Sequence, residues 1–239
     1  MSNPTGAMLV IGDEILSGRT RDSNTNHLAC ALTAAGIDLA EVRVVRDDAE
    51  AIIAAVRALS AACTYVFTSG GIGPTHDDIT ADAVARAFDA AIDIREDARA
   101  ILAAHYERAG TDLNAARLRM ARIPEGASLI ENPVSAAPGF IIGNVHVMAG
   151  VPSIFEAMLA SILPSLTGGA PVISRNLDIH RAEGDIAGPL ADLAARYPQL
   201  SFGSYPFQRS GVHGANVVAR GQDVSALDAA MAELAEHFG

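Results

Sequence analysis

The sequence predicts an α/β protein: a three-layer α/β/α sandwich on a mostly parallel sheet, followed by a small C-terminal α+β appendage. Three observations carry this. Within the first ninety residues a strand pattern gives way to helical periodicity three times in succession. Three βα units in a row require crossover connections that place helices on both faces of a parallel sheet. The Pro/Gly cluster "LPSLTGGAP" at 163–171 then separates this region from a tail of different rhythm, because such a run neither continues a helix nor pairs well as a strand. The domains expected are therefore 1–166 and 171–239.

The elements follow in order. "AMLVIG" (7–12) reads as a buried strand, and "SNTNHLACALTAAG" as a helix with Ser23 or Asn24 at its N-cap and Gly36 just past its end. "IDLAEVRVV" (37–45) alternates as a strand does. "DDAEAIIAAVRALSAA" (47–62) has apolar residues at helical spacing behind two capping aspartates. "TYVFTS" (64–69) is a third strand, and a helix begins near Ile79 or Thr80. Residues 97–122 read as helical with a break at Gly110; short strands at 127–130, 139–142 and 145–148 extend the sheet, and a helix runs from Ser153 to about Leu163. The tail reads β, α, β, β, α.

Composition narrows the function. At 239 residues the chain is long enough to bury a substantial core, and half of it is apolar with no Trp, so that core is built from aliphatic side chains. A formal net charge of −11 argues against a nucleic-acid partner, since phosphate-backbone binding draws on clustered Lys and Arg. Cys30 and Cys63 have no metal-ligand spacing and read as buried free thiols, which suits a reducing cytoplasm. No apolar run approaches membrane-spanning length and no leader is visible.

The chemistry concentrates at three strand ends. In an open parallel sheet, ligands collect where loops leave the strand ends in opposite directions. Here each such end carries paired carboxylates: Asp13-Glu14 after the first strand, Asp47-Asp48 after the second, Asp77-Asp78 after the third. The third loop, "FTSGGIGPTHDDIT", also contains Gly70, Gly71 and Gly73, which let the backbone turn with exposed N–H groups ahead of a helix dipole. A phosphate beside carboxylates calls for a cation between them, so Mg²⁺ or a similar hard divalent ion is the expected cofactor. Asp13, Glu14, Asp47, Asp77 and Asp78 are its candidate ligands. Ser69, Gly70, Gly71, Gly73, Thr75, Ser23 and Asn24 are the candidate substrate-binding residues. A Gly-rich turn is also often only a turn, and Asp47, Asp48 and Asp78 each stand where a helix cap belongs. The histidines are scattered, and His76, in the loop, is expected to be exposed.

"IGDEILSGRTRDSNTNHLACAL" and "TSGGIGPTHDDITADAVARAF" together resemble the molybdopterin-binding, MoaB/Mog-like domain, and most closely the N-terminal domain of the competence and damage-inducible CinA proteins. The likeness continues through "NAARLRMARIPEGASLIENPVSAAPGFIIGNVHVMAGVPSIFEAM" and covers residues 7–158, while the tail with "FGSYPF" is similar to the accessory region that follows this domain in CinA proteins. The resemblance implies that Glu14, Asp47 and Asp78 are the acidic residues that matter in catalysis. It implies a divalent-metal-dependent pyrophosphatase of nucleotide diphosphates such as ADP-ribose or FAD. The alternatives are molybdopterin binding or nucleotidyl transfer in molybdenum-cofactor assembly, with molybdopterin as ligand, or a nucleotide-binding module without turnover. The partner is then a small nucleotide or pterin phosphate, with no nucleic acid and no membrane. A homodimer is expected, since the superfamily forms compact oligomers and the alanine-rich helices offer packing surfaces. The chain departs from the CinA pattern at Ser135-Ala136-Ala137-Pro138 and Met148-Ala149-Gly150, which alters one wall of the pocket. It ends before the nicotinamide mononucleotide amidohydrolase domain of many CinA proteins, so that activity is not expected.

Overall fold

Strand β1 (Thr5–Ile11) is buried along six of its seven residues, as a strand must be when helices cover both faces of its sheet. The computed structural model describes residues 3–209 and 211–238. They divide into two compact units, Met1–Gly169 and Ala170–Gly239. In the first unit β1 is followed by α1 (Asp13–Leu16), α2 (Asn24–Ala34), β2 (Asp38–Val45), α3 (Ala49–Ala62), β3 (Tyr65–Ser69) and α4 (Thr80–Ala87). Then come β4 (Ile92–Ile94), α5 (Glu96–Arg108), α6 (Ala115–Leu118), a 3-10 turn (Arg119–Ala121), β5 (Arg122–Pro124), β6 (Ser128–Ile130), β7 (Gly139–Ile142), β8 (Val145–Met148) and α7 (Pro152–Ile162).

Six of these strands form one sheet in the order β2-β1-β3-β8-β7-β6. Strands β2, β1, β3 and β8 run parallel, and β7 returns antiparallel to both β8 and β6. The two-residue period of β1 assigns its side chains to the two faces. Ala7, Leu9 and Ile11 pack with Ile52, Val56 and Leu59 of α3 and Val84 of α4. Met8 and Val10 pack with Leu28 and Leu32 of α2 and with Phe155 and Leu159 of α7. The expected three-layer α/β/α sandwich is therefore the observed one. The second unit contains β9 (Ile173–Ile179), α8 (Glu183–Arg196), β10 (Ser201–Arg209), β11 (Val212–Gly221) and α9 (Val224–Phe238), with an antiparallel sheet in the order β10-β11-β9 and a core of its own around Ile186, Val217 and Leu227.

Residues 97–122 are helical with a break at Gly110, as expected: a φ of 64° there ends α5, and α6 and a 3-10 turn follow before β5 pairs with β4. Two local features differ from expectation. Strand β4 was not expected; its three residues are too few for a readable alternation. Cys30 is a free thiol but exposed, since Leu28 and Leu32 take the buried side of α2, while Cys63 is half-buried. Among the described residues no helix is long and apolar enough to cross a membrane.

His146 of β8 is nearly buried, stacked on Phe67 with ring centroids 5.0 Å apart, and its Nδ1–H donates to the Val66 carbonyl at 3.3 Å. Burial holds its pKa below the ordinary histidine value, against the pull of the neighbouring backbone acceptors. The unfolded chain therefore binds this proton at a higher pH than the folded one. Stability from this residue is present above about pH 6.5, the unfolded value, and is lost as pH falls below it. A urea-unfolding series from pH 7.5 to 5 should give His146→Phe a flatter profile than the wild type, the difference approaching at most about 1.4 kcal/mol per pH unit. Parallel profiles would contradict this account.

Candidate active site at the strand ends

The site begins where β1 stops. Gly12 N–H donates to the Val45 carbonyl at 3.1 Å, and the next amide, Asp13 N–H, donates to Asp47 Oδ2 at 3.0 Å. These two bonds fasten the turn after β1 to the turn after β2. The Glu14 carboxylate folds back over Gly12, whose missing side chain leaves the room: a Cβ there would lie 2.5 Å from Glu14 Oε2. Asp13 and Glu14 thus lie on α1, a single helical turn invisible to periodicity.

The two aspartates after β2 have different tasks. Asp48 is the N-cap of α3, accepting from Ala51 N–H at 2.9 Å. Asp47 caps nothing; it turns toward Asp13. Burial pushes the Asp47 carboxyl above the ordinary carboxylate range, the Asp13 N–H draws it back, and the negative charges of Glu14, Asp13 and Asp77 push it up again. All three acidic turns thus act on one carboxylate. No Lys, Arg or His makes an ion pair with it among the described residues.

The glycine loop follows β3. Gly70 (φ 108°) donates its N–H to the Met148 carbonyl, and Gly71 (φ 69°) accepts from Thr80 N–H at 3.0 Å, which starts α4. Asp78 closes the loop by accepting from both Thr75 N–H at 2.8 Å and Thr75 Oγ1 at 2.6 Å. It is not the cap of α4: the cap position is Ile79, which has no side-chain cap bond. Among the described residues the amides of Gly71, Ile72 and Gly73 have no protein acceptor, so three successive donors are free at a loop backed by a helix N-terminus. His76 and Asp77 are exposed at the tip, as expected for His76.

Behind the loop, Asn24 is buried, and its Nδ2 donates to Ser69 Oγ at 2.7 Å and to the Gly150 carbonyl at 2.8 Å. Ser69 is therefore held in the floor of the site and not presented on the loop. Asn24, Ser69, Gly150 and Glu14 line one small pocket, while Gly71, Gly73, Asp78 and Arg119 line another. Ser23 occupies the cap position of α2 with no side-chain bond; Asp22 does the capping, accepting from Asn24 and Thr25 N–H at 3.0 and 3.2 Å. Asp22 and Arg119 were not singled out in the sequence, and a "D-x-N" spacing before the helix was the one usable signal for Asp22; Gly150, part of the Met148-Ala149-Gly150 departure, does line the pocket as expected of that wall.

Among the described residues no three His, Cys, Asp or Glu side chains stand close enough to hold a metal ion by themselves. Asp13, Glu14, Asp47, Asp77 and Asp78 are therefore not a preassembled cage. They face one end of the sheet without converging on a point, because Asp78 is drawn to Thr75 and Asp47 to the Asp13 amide.

Residues 7–168 match the family described as "Probable molybdopterin binding domain". The chain belongs to this family. Residues 171–239 match a second description, "FAD synthase, middle domain". A CinA-like protein of Citrifermentans bemidjiense is 41% identical over 167 residues, 68% of this chain and 40% of that protein. A protein of Archaeoglobus fulgidus is 33% identical over 199 residues, 83% of this chain and 84% of its own length. The chain thus spans less than half of the CinA-like relative's length. Among solved structures, CinA from Thermoplasma acidophilum aligns with a TM-score of 0.63 at 35% identity, covering 69% of this chain and 99% of that one. These relatives bear out the CinA likeness of the molybdopterin-binding-type domain, a domain class of small-molecule binders.

Proposed function

We propose that this protein hydrolyses the phosphoanhydride of a nucleotide diphosphate of the ADP-ribose or FAD type. The observation that carries the proposal is the run of free amides from Gly71 to Gly73, in a loop whose Asp77 adds its charge to that of Glu14 and Asp13 at the partly buried Asp47 carboxylate. Free N–H groups at a helix N-terminus suit phosphate oxygens. A carboxylate that burial and neighbouring like charges make costly to ionise suits a cation. The donor set fits a Mg²⁺-type ion held by one or two carboxylates, Asp47 and Glu14, with the remaining sites left to phosphate oxygens and water. When bound, such an ion supplies charge neutralisation at phosphorus and a more acidic water at neutral pH.

The chain's own residues do the positioning. Asp13 N–H fixes the orientation of the Asp47 carboxylate, Asp78 and Thr75 hold the loop in register, and the Gly71 to Gly73 amides orient the phosphate. The match of the second unit to an FAD synthase segment supports a dinucleotide as substrate. A homodimer, a cytoplasmic location and the two-domain division at 1–166 and 171–239 belong to the same proposal.

Incubation with ADP-ribose and FAD across a series of divalent metals, with chromatography for AMP, tests the reading. Metal-dependent AMP release is expected, and none from either substrate with any metal would overturn it. The family description favours a second reading, binding of a pterin phosphate without hydrolysis. Pterin fluorescence copurifying with a protein that releases no AMP is the outcome that would select it.

A further inference from the structure

We infer that Arg119 is the cationic anchor for the substrate's phosphate, a role that rests on the reading of the glycine loop as a phosphate site. Arg119 opens the 3-10 turn after α6 and lines the cleft with Gly71, Gly73 and Asp78. Its Nη2 donates to the Asp78 carbonyl at 3.3 Å, while its Nε is buried without a partner. Among the described residues no carboxylate forms an ion pair with it, whereas Arg122, three residues on and in the same cleft, is paired with Asp82. An arginine that solvent does not fully reach, with no carboxylate to answer it, is costly unless an anion arrives.

The surrounding charge makes the same demand from the other side. Glu14, Asp47, Asp77 and Asp78 gather at these strand ends, and the chain as a whole carries −11. A phosphate entering there needs positive charge of the protein's own, and the free amides supply only partial charge. The guanidinium adds a full one in a planar fork that matches two phosphate oxygens, a geometry that Lys cannot reproduce. Its existing bond to the Asp78 carbonyl holds this fork against the loop whose amides face the same ligand. The bland alternative is that Arg119 only pins the loop through that carbonyl.

Titration calorimetry with the non-hydrolysable α,β-methylene-ADP and Mg²⁺ separates the two, using wild type, Arg119→Lys and Arg119→Gln, with melting temperatures alongside. Gln keeps a donor for the carbonyl but not the charge; Lys keeps the charge but not the fork. The expected result is that Arg119→Gln binds at least about tenfold more weakly and with less salt dependence, while Arg119→Lys loses less, both melting close to the wild type. Should Arg119→Gln destabilise the protein, Arg119→Met, which keeps much of the apolar stem without the charge, takes its place, and wild-type affinity with an unchanged salt dependence in that variant overturns the inference. Wild-type affinity in Arg119→Gln, or no binding by the wild type, overturns it as well. Tight, Arg119-dependent binding by a wild type that releases no AMP from ADP-ribose or FAD would leave Arg119 in place and defeat only the hydrolytic reading.

Discussion

Gly70→Ala is expected to destabilise the first unit by about 3 kcal/mol or more, the range that backbone strain and a forced steric shift reach together. Gly70 has a φ of 108°, well outside the left-handed region that a non-glycine residue tolerates, and a Cβ there would overlap the Ile11 carbonyl oxygen at the buried end of β1. The neighbour cannot give way, because it is backbone in the ladder between β2 and β3. Gly150 also closes in from the other side, so that its own Cβ would lie 3.2 Å from Gly70 Cα. Gly110 is the internal control: φ is again positive at 64°, but nothing stands within 4 Å of its would-be Cβ. Gly110→Ala should therefore cost only the conformational strain, about 1 kcal/mol. Urea midpoints of the two variants measure the difference, and equal losses would show that the overlap at Gly70 is relieved cheaply. Gly71 follows the same logic, since its Cβ would overlap Thr80 Oγ1. A substitution there would act on the loop's own fold as well as on ligand approach.

What could be read in the sequence was what short-range physics dictates. The unbroken apolar run of Ala7 to Ile11 marks a strand covered on both faces, and the helical spacing of Ile52, Val56 and Leu59 marks a helix packed on one side, without any knowledge of partners. The three acidic pairs could be placed at strand ends for the same reason. How the pairs divide their work could not, because an aspartate before a helix reads as a cap whichever way its side chain turns. Asp48 caps, Asp47 does not, and only the Asp13 amide, 34 positions away, decides between them. The Asn24 bridge to Ser69 and Gly150 is equally illegible, joining positions 45 and 126 residues apart. Arg119 escaped notice because four arginines lie between 108 and 122 and nothing local distinguishes the one that reaches the glycine loop.

Asp47→Asn should separate stability from activity more sharply than any other change at this site. Burial and three neighbouring carboxylates oppose ionisation of Asp47, so in the absence of a bound cation its charge is a cost to the folded state. The sign follows from linkage. A carboxyl whose folded pKa exceeds its unfolded value loses stability as pH rises through that interval, and at neutral pH the whole penalty is in force. Asn removes the charge and still offers an oxygen to the Asp13 N–H, so the variant should melt at or above the wild-type temperature. Activity should move the other way. A neutral amide is a poor ligand for a hard divalent ion, and loss of one anionic ligand from so small a donor set should lower metal-dependent AMP release by about a hundredfold or more, roughly 3 kcal/mol in the barrier. The wild type should also lose activity on its acid side as pH falls through the raised Asp47 pKa. Asp48→Asn is the control: Asn caps a helix about as well as Asp, so neither melting nor turnover should change much. Melting curves and AMP release, measured on the same preparations, decide the matter. If Asp47→Asn melts normally and turns over at the wild-type rate, the charge at Asp47 has no part in the chemistry, and the role given to the turn it fastens must pass to Glu14 or Asp78.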